Sequence, residues 1–196
     1  MQDPYEPLVQ GILDQGYGMV DHFIDPSTVV SLRSHLLERY KKGQMHEAGV
    51  GNRNVLHRNK SVRSDLISWI DDETANETER KFLRQVKDFV QYLNYTCYTG
   101  IRSFEFHYAL YQEGSFYRRH KDQFRSDSGR IFSLITYLNE DWQDDDGGQL
   151  VLYTEKEEKI SPIGGRSVFF RAHEIEHEVL EAKRTRMSIT GWLKNR

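Results

Sequence analysis

The chain has 196 residues, 37% of them hydrophobic and 12% aromatic, which suits one well-cored domain over 1–196 and excludes a disordered chain. A formal charge of -3 offers no general basic surface to nucleic acid, and a single cysteine, Cys97, excludes a disulfide framework and a multi-cysteine zinc site. MQDPYEPLVQG does not read as a signal peptide, and no apolar run nears the ~18 residues of a membrane span, so a cytoplasmic protein is expected, with neither nucleic acid nor membrane as partner.

In chain order, the first hundred residues read mainly as helical support. DPSTVVSLRSHLLERYKKG starts with Asp25 as cap and Pro26 in the first turn. It carries Val29, Leu32, Leu36 and Leu37 on one stripe and stops at Gly43. A second helix starts near Asn76, where NETE resembles a capping box, and continues through FLRQVKDFVQYL. Between them, GQMHEAGVGNRNVLHRNK is polar and rich in glycine and asparagine, as expected of a long loop or hairpin. Its Arg53, Arg58 and Lys60 are either solvated surface or groups that touch a substrate.

From Ser103 the pattern changes to short extended segments separated by turn signals: FEFHYALY, FYRRHKD, RIFSLITYLN, GQLVLYT, EKISP, SVFF, EIEHEVL and RMSITGWL. No helix-length connectors remain, so a sandwich or jelly-roll is expected rather than a parallel sheet. The acidic EDWQDDDGG reads as a solvated hairpin turn.

HEIEH, residues 173–177, matches the H-E-x-x-H zinc-peptidase pattern, but that pattern requires a helix and a further ligand. The alternation from Glu174 to Val179 reads instead as a strand, with Ile175, His177 and Val179 on one face, and the last acidic residue is Glu181. A better partner set is His120 and Asp122, which leave the same face of a strand. With His177 they would form the two-histidine, one-carboxylate triad that suits non-haem iron(II). Nine residues beyond His177, Arg186 shares a strand face with Ser188 and Thr190. If that strand pairs with the one carrying His177, these groups line the metal cavity. Arg186 would then hold a carboxylate, with a phenolic hydrogen bond from Tyr137, which lies on a face with Ser133 and Ile135.

Several blocks extend beyond the triad: VRSDLISWI, HYALYQEGSFYRRHKDQF, RIFSLITYLNEDWQDDDGGQL and HEVLEAKRTRMSITGWL. Together, over residues 45 to 194, they resemble the 2-oxoglutarate- and iron(II)-dependent oxygenases, specifically prolyl hydroxylases of the oxygen-sensor type and their bacterial relatives. The resemblance implies an α+β, mainly β fold. Its core would be a double-stranded β-helix (a cupin-like jelly-roll) over 101–196, buttressed by helices within 1–100, with a substrate-covering loop at about 45–69. It implies iron on His120, Asp122 and His177, and 2-oxoglutarate on Arg186, Tyr137, Tyr111, Ser188 and Thr190. Tyr111 matches an active-site tyrosine. Arg53, Arg58, Arg63 and Tyr117 would meet substrate, and Asp65 with Arg130 would form a structural ion pair. Ser64 and Ser188 depart from the pattern without touching the metal chemistry.

The implied reaction is hydroxylation of a prolyl residue in a flexible segment of a protein, such as the translation factor elongation factor Tu. It would consume dioxygen and 2-oxoglutarate, release succinate and carbon dioxide, and use a reductant such as ascorbate. The alternatives are the same chemistry on a free amino acid or other small molecule, a non-catalytic jelly-roll binding module, and the zinc peptidase.

Overall fold

The computed structural model describes residues 3–49, 61–123 and 129–196. The helices are α1 (Glu6–Gln15), α2 (Pro26–Lys41) and α3 (Glu77–Cys97). The strands are β1 (Tyr17–Val20), β2 (His46–Glu47), β3 (Leu66–Ile70), β4 (Ser103–Tyr111), β5 (Tyr117–His120), β6 (Arg130–Tyr137), β7 (Leu150–Tyr153), β8 (Glu157–Ile160), β9 (Ser167–Arg171), β10 (Glu176–Val179) and β11 (Arg186–Lys194). They form a seven-stranded sheet in the order β1-β9-β6-β11-β4-β3-β2, facing a four-stranded sheet in the order β5-β10-β7-β8. This is the jelly-roll expected from the close spacing of strands and turns. Each of the eight extended segments expected after Ser103 overlaps one strand.

Both expected helices start where their caps require. Asp25 accepts the Thr28 N–H at 3.0 Å, and Asn76 and Glu79 exchange two bonds of 2.9 Å in a full capping box. Glu79 is fully buried. It pairs with Arg39 of α2 at 2.7 Å, and that arginine also donates to Ser68 and to the Trp69 carbonyl, so the cap of α3 is tied to α2 and β3. The apolar stripe of α3 lies on the outer face of the large sheet, with Phe82 edge-on to Phe106 and Phe89 edge-on to Phe169.

The first hundred residues are less purely helical than their pattern suggests. α1 is a third helix, and β1, β2 and β3 extend the two edges of the large sheet. The VRSDLISWI segment is a strand because it pairs with β4 from Leu66↔Leu110 to Ile70↔Phe106. That position is tertiary, and five residues offer little local signal for it. Of the covering segment at about 45–69, residues 45–49 and 61–69 are described. They join through β2 and β3, paired at His46↔Ile67.

The central strands are buried on both faces, and period-2 alternation sorts their residues into two cores. Phe106, Tyr108 and Leu110 of β4, with Met187, Ile189 and Leu193 of β11, face the helices. Tyr111 and Ala109 of β4, with Ile135 and Tyr137 of β6, face the small sheet. The space between the two sheets holds the site.

Candidate active site

β11 turns Arg186, Ser188, Thr190 and Trp192 to the inner face of the large sheet. Their partners on β4 are Tyr111, Ala109, His107 and Glu105. On the other side, Tyr137 of β6 pairs with Ser188, Ile135 with Thr190 and Ser133 with Trp192. Facing this grid, β5 and β10 of the small sheet pair at His120↔His177. A cavity of about 300 Å³ lies between the sheets, lined by His120, Asp122, His177, Arg186 and Thr190 among others.

At its centre, one ligand atom each of His120, Asp122 and His177 lies within 4.8 Å of the other two. Nδ1 of His120 donates to the Arg118 carbonyl at 2.7 Å, and Nδ1 of His177 faces the Ile175 carbonyl at 3.4 Å. The ring hydrogens therefore sit on Nδ1, which leaves both Nε2 lone pairs turned to Asp122, each 3.5 Å from one carboxylate oxygen. Two imidazole lone pairs and a carboxylate converge with no hydrogen between them, which is the donor set of a divalent metal.

Burial works against the charge on Asp122, but a proton on His177 or on His120, together with the Ser133 hydroxyl, outweighs it and holds the carboxyl well below its ordinary range. Burial first, and His120 second, push His177 down to about 4, so the ring is neutral at physiological pH and free to ligate. The rings are held from outside: Tyr117 stacks on His120 at 3.5 Å, and Phe170 meets His177 edge-on at 4.8 Å. Ser133 donates to Asp122 Oδ2 at 2.7 Å, and Arg130 reaches the Asp122 carbonyl at 3.3 Å.

Arg186 is 1% exposed, and among the described residues no carboxylate pairs with it. Its Nε donates to the Gly148 carbonyl at 2.8 Å, and its guanidinium lies 4.9 Å from the Tyr111 ring centre and 5.1 Å from that of Tyr137. The Tyr137 hydroxyl is enclosed beside the guanidinium without a well-formed hydrogen bond, and burial pushes its pKa up to about 12, so it stays a donor. A buried guanidinium next to an unsatisfied phenol calls for a carboxylate. 2-Oxoglutarate fits: one end can meet Arg186 and Tyr137, and its 2-oxoacid end suits the metal.

Several expectations need correction. β10 and β11 are not neighbours. His177 and Arg186 line one cavity from the two sheets, and β11 pairs with β4 and β6. Asp65 and Arg130 do not pair. Asp65 binds Arg63 in a fork of 2.7 and 2.6 Å, and Arg130 turns to Glu105 at 3.0 Å while its guanidinium lies 3.4 Å from the centre of the Trp192 ring. Each arginine takes the carboxylate geometry brings nearest: Asp65 two residues away for Arg63, Glu105 across the sheet for Arg130. Arg63, expected to meet substrate, therefore has its charge engaged and its face over Tyr117 at 4.2 Å, although both residues line the cavity. Arg53 and Arg58 lie outside the described residues.

The acidic turn does more than meet solvent. Its Trp142 is buried and donates to the Gly147 carbonyl, and Gly148 supplies the oxygen that orients Arg186. At φ +63° a Cβ on Gly148 would stand 3.0 Å from Arg186 Cδ. The paired glycines were the available signal. Strand parity put Ser133 on the face of Tyr137, but nothing local marked its bond to Asp122, nor Glu105 or His107.

His173 and Glu174 lie in a turn, and Ile175, His177 and Val179 are buried together, so HEIEH is a turn leading into a strand and not a zinc helix.

The model of the 2OG-Fe(II) oxygenase superfamily matches residues 106–194, which carry the triad and Arg186. A prolyl-4-hydroxylase of Pseudomonas putida is 35% identical with a TM-score of 0.87, covering 96% of this chain and 97% of that one. The chain belongs to the 2-oxoglutarate- and iron(II)-dependent oxygenases. Within them its likeness is to prolyl hydroxylases. The Trichoplax adhaerens enzyme, solved with a peptide of the hypoxia inducible factor oxygen degradation domain, is 28% identical with a TM-score of 0.85, covering 97% of this chain and 88% of that one. Human Egl nine homolog 1 is 26% identical over 208 residues, covering 95% of this chain and 46% of the relative. The chain thus spans about half the length of the curated relatives it matches.

Proposed function

We propose that this protein hydroxylates a prolyl residue in a flexible segment of a protein substrate, with His120, Asp122 and His177 as the iron ligands and Arg186 and Tyr137 as the 2-oxoglutarate anchor. The reading rests on the pairing of a two-histidine, one-carboxylate centre with a buried arginine that has no carboxylate among the described residues, both in one cavity. Iron(II), 2-oxoglutarate and dioxygen together supply the oxidation: 2-oxoglutarate becomes succinate and carbon dioxide, and one oxygen atom enters a substrate C–H bond.

The chain contributes position and dryness. Nδ1 contacts to backbone carbonyls hold the histidine tautomers, Ser133 fixes one oxygen of Asp122, and Gly148 aims Arg186. Ile135, Leu150 and Val179 of the cavity wall exclude water around the centre. A protein substrate is favoured by the whole-length likeness to prolyl hydroxylases, one of them bound to a peptide. Elongation factor Tu is the first substrate to test.

The protein loaded with iron(II) and 2-oxoglutarate is incubated with elongation factor Tu and with a cell extract, and succinate and oxygen-bearing prolines are followed by mass spectrometry. One added oxygen on a proline, dependent on 2-oxoglutarate, is expected. Oxidation of free amino acids with no modified protein would put the small-molecule reading in its place.

A further inference from the structure

His107 is a buried histidine that neither metal nor 2-oxoglutarate accounts for. It is 3% exposed, lines the cavity, and is clamped by Trp69 at 5.0 Å and Trp192 at 5.3 Å between ring centres. Its Nδ1 is fully enclosed and has no hydrogen-bond partner. Buried N–H groups without a partner are rarer than acceptors without one, so Nδ1 is the bare nitrogen and the hydrogen sits on Nε2. Burial keeps the ring uncharged, with a pKa pushed down to about 3.

The strand register locates this donor. Tyr111 of β4 and Tyr137 of β6 flank Arg186 at one end of the cavity, and Ser133 of β6 holds Asp122. His107 lies on the other side of β11, opposite Thr190, and Trp69 lies one strand further out, opposite His107. Two indoles and an uncharged donor thus form a wall four residues along the strands from the Arg186 and Tyr111 pair, in the cavity that His46 and Glu47 of the covering segment also line. Flat aromatic faces suit an apolar ring, and the Nε2–H of His107, beside the likewise unpartnered Nε1–H of Trp192, asks for an acceptor oxygen next to that ring.

We propose that His107 determines specificity by donating from Nε2–H to a main-chain carbonyl of the substrate polypeptide, beside a residue held against Trp69 and Trp192. This rests on the prolyl hydroxylase reading above and adds the group that would read the peptide backbone.

The test uses the full chain with iron(II), 2-oxoglutarate and a synthetic pool of twelve-residue peptides (roughly the length of a short extended loop), each with one central proline. With His107→Phe the peptide KM is expected to rise about tenfold, the worth of one hydrogen bond, while the 2-oxoglutarate KM moves less than about twofold. Succinate formed per hydroxylated peptide should rise, and His107→Gln, which keeps a donor, should recover most of both losses. Imidazole nitrogen NMR of the histidine-labelled protein should show His107 as the Nε2–H tautomer. A His107→Phe enzyme with wild-type peptide KM and coupling, or a ring carrying its hydrogen on Nδ1, overturns the proposal. If the wild type hydroxylates no proline in the pool or in the cell extract, the prolyl reading fails on its own, and the tautomer still decides whether His107 is the donor described.

Discussion

His120 and His177 are register partners on β5 and β10, their ring centres 4.2 Å apart, and Asp122 turns one carboxylate oxygen to each at 3.5 Å. The two histidines are 57 residues apart in sequence and come from two strands of one small sheet, so the metal centre depends on strand pairing. Ser133, from the opposite sheet, ties the carboxylate to the large sheet at 2.7 Å. Removing that hydroxyl with Ser133→Ala should weaken iron binding by roughly 10–100-fold, as loss of a group that orients a ligand does. Titration of the apo-protein with iron(II) under anaerobic conditions reads this directly; unchanged affinity would mean that Asp122 is oriented without Ser133.

Arg186 is the second half of the site. Arg186→Ala should raise the 2-oxoglutarate KM on the order of 100-fold while iron remains bound, because a charge-assisted fork is lost and Tyr137 cannot replace it. Arg186→Lys should recover little, since an ammonium cannot span both carboxylate oxygens in one plane. Steady-state kinetics with iron content measured in parallel separates loss of co-substrate from loss of metal.

Gly148 aims that arginine. Gly148→Ala adds a Cβ at 3.0 Å from Arg186 Cδ on a backbone at φ +63°. It should cost roughly 1–3 kcal/mol of stability and raise the 2-oxoglutarate KM together. Thermal unfolding alone would shift, with KM untouched, if Gly148 served only the turn.

The ion-pair assignment can be tested by mutant cycles. Asp65→Asn leaves the Arg63 guanidinium buried beside a neutral partner and should cost roughly 3–5 kcal/mol. Coupling should appear between Asp65 and Arg63 and between Glu105 and Arg130, and be near zero between Asp65 and Arg130. Strong coupling in the last pair would restore the pairing expected from the family pattern.

His107 makes stability pH-dependent. Burial is the main cause of its lowered pKa. Arg63 and Arg130 act with burial, and Asp65 and Asp122 act against it, giving a ring that protonates near 3 against an ordinary value of 6.5. The folded protein therefore binds fewer protons here than the unfolded chain between those values. The contribution is complete above pH 6.5 and is lost as pH falls toward 3, amounting to roughly 2 kcal/mol by pH 5. Denaturant unfolding of chelator-treated protein from pH 7 to 5 should lose stability less steeply for His107→Gln than for wild type. Parallel slopes would mean the ring is already charged in the folded state.

Much of this molecule is legible in its amino-acid order, because periodicity and capping are local. The Asp25 cap, the Asn76–Glu79 capping box and the inward parity of Ile175, His177 and Val179 follow from neighbours a few residues apart. His120 and Asp122 stand two residues apart, and Arg186 follows His177 by nine, so the residue types of the site were visible too. Pairing and opposition were not. That β10 and β11 lie in facing sheets, that Arg63 takes Asp65 and leaves Arg130 to Glu105, and that His107 ends up between two tryptophans are decided by register across three strands or more. A side chain's face is set by its own strand's alternation; its partner is set by which strand the chain brings alongside, and that is settled only when both cores close.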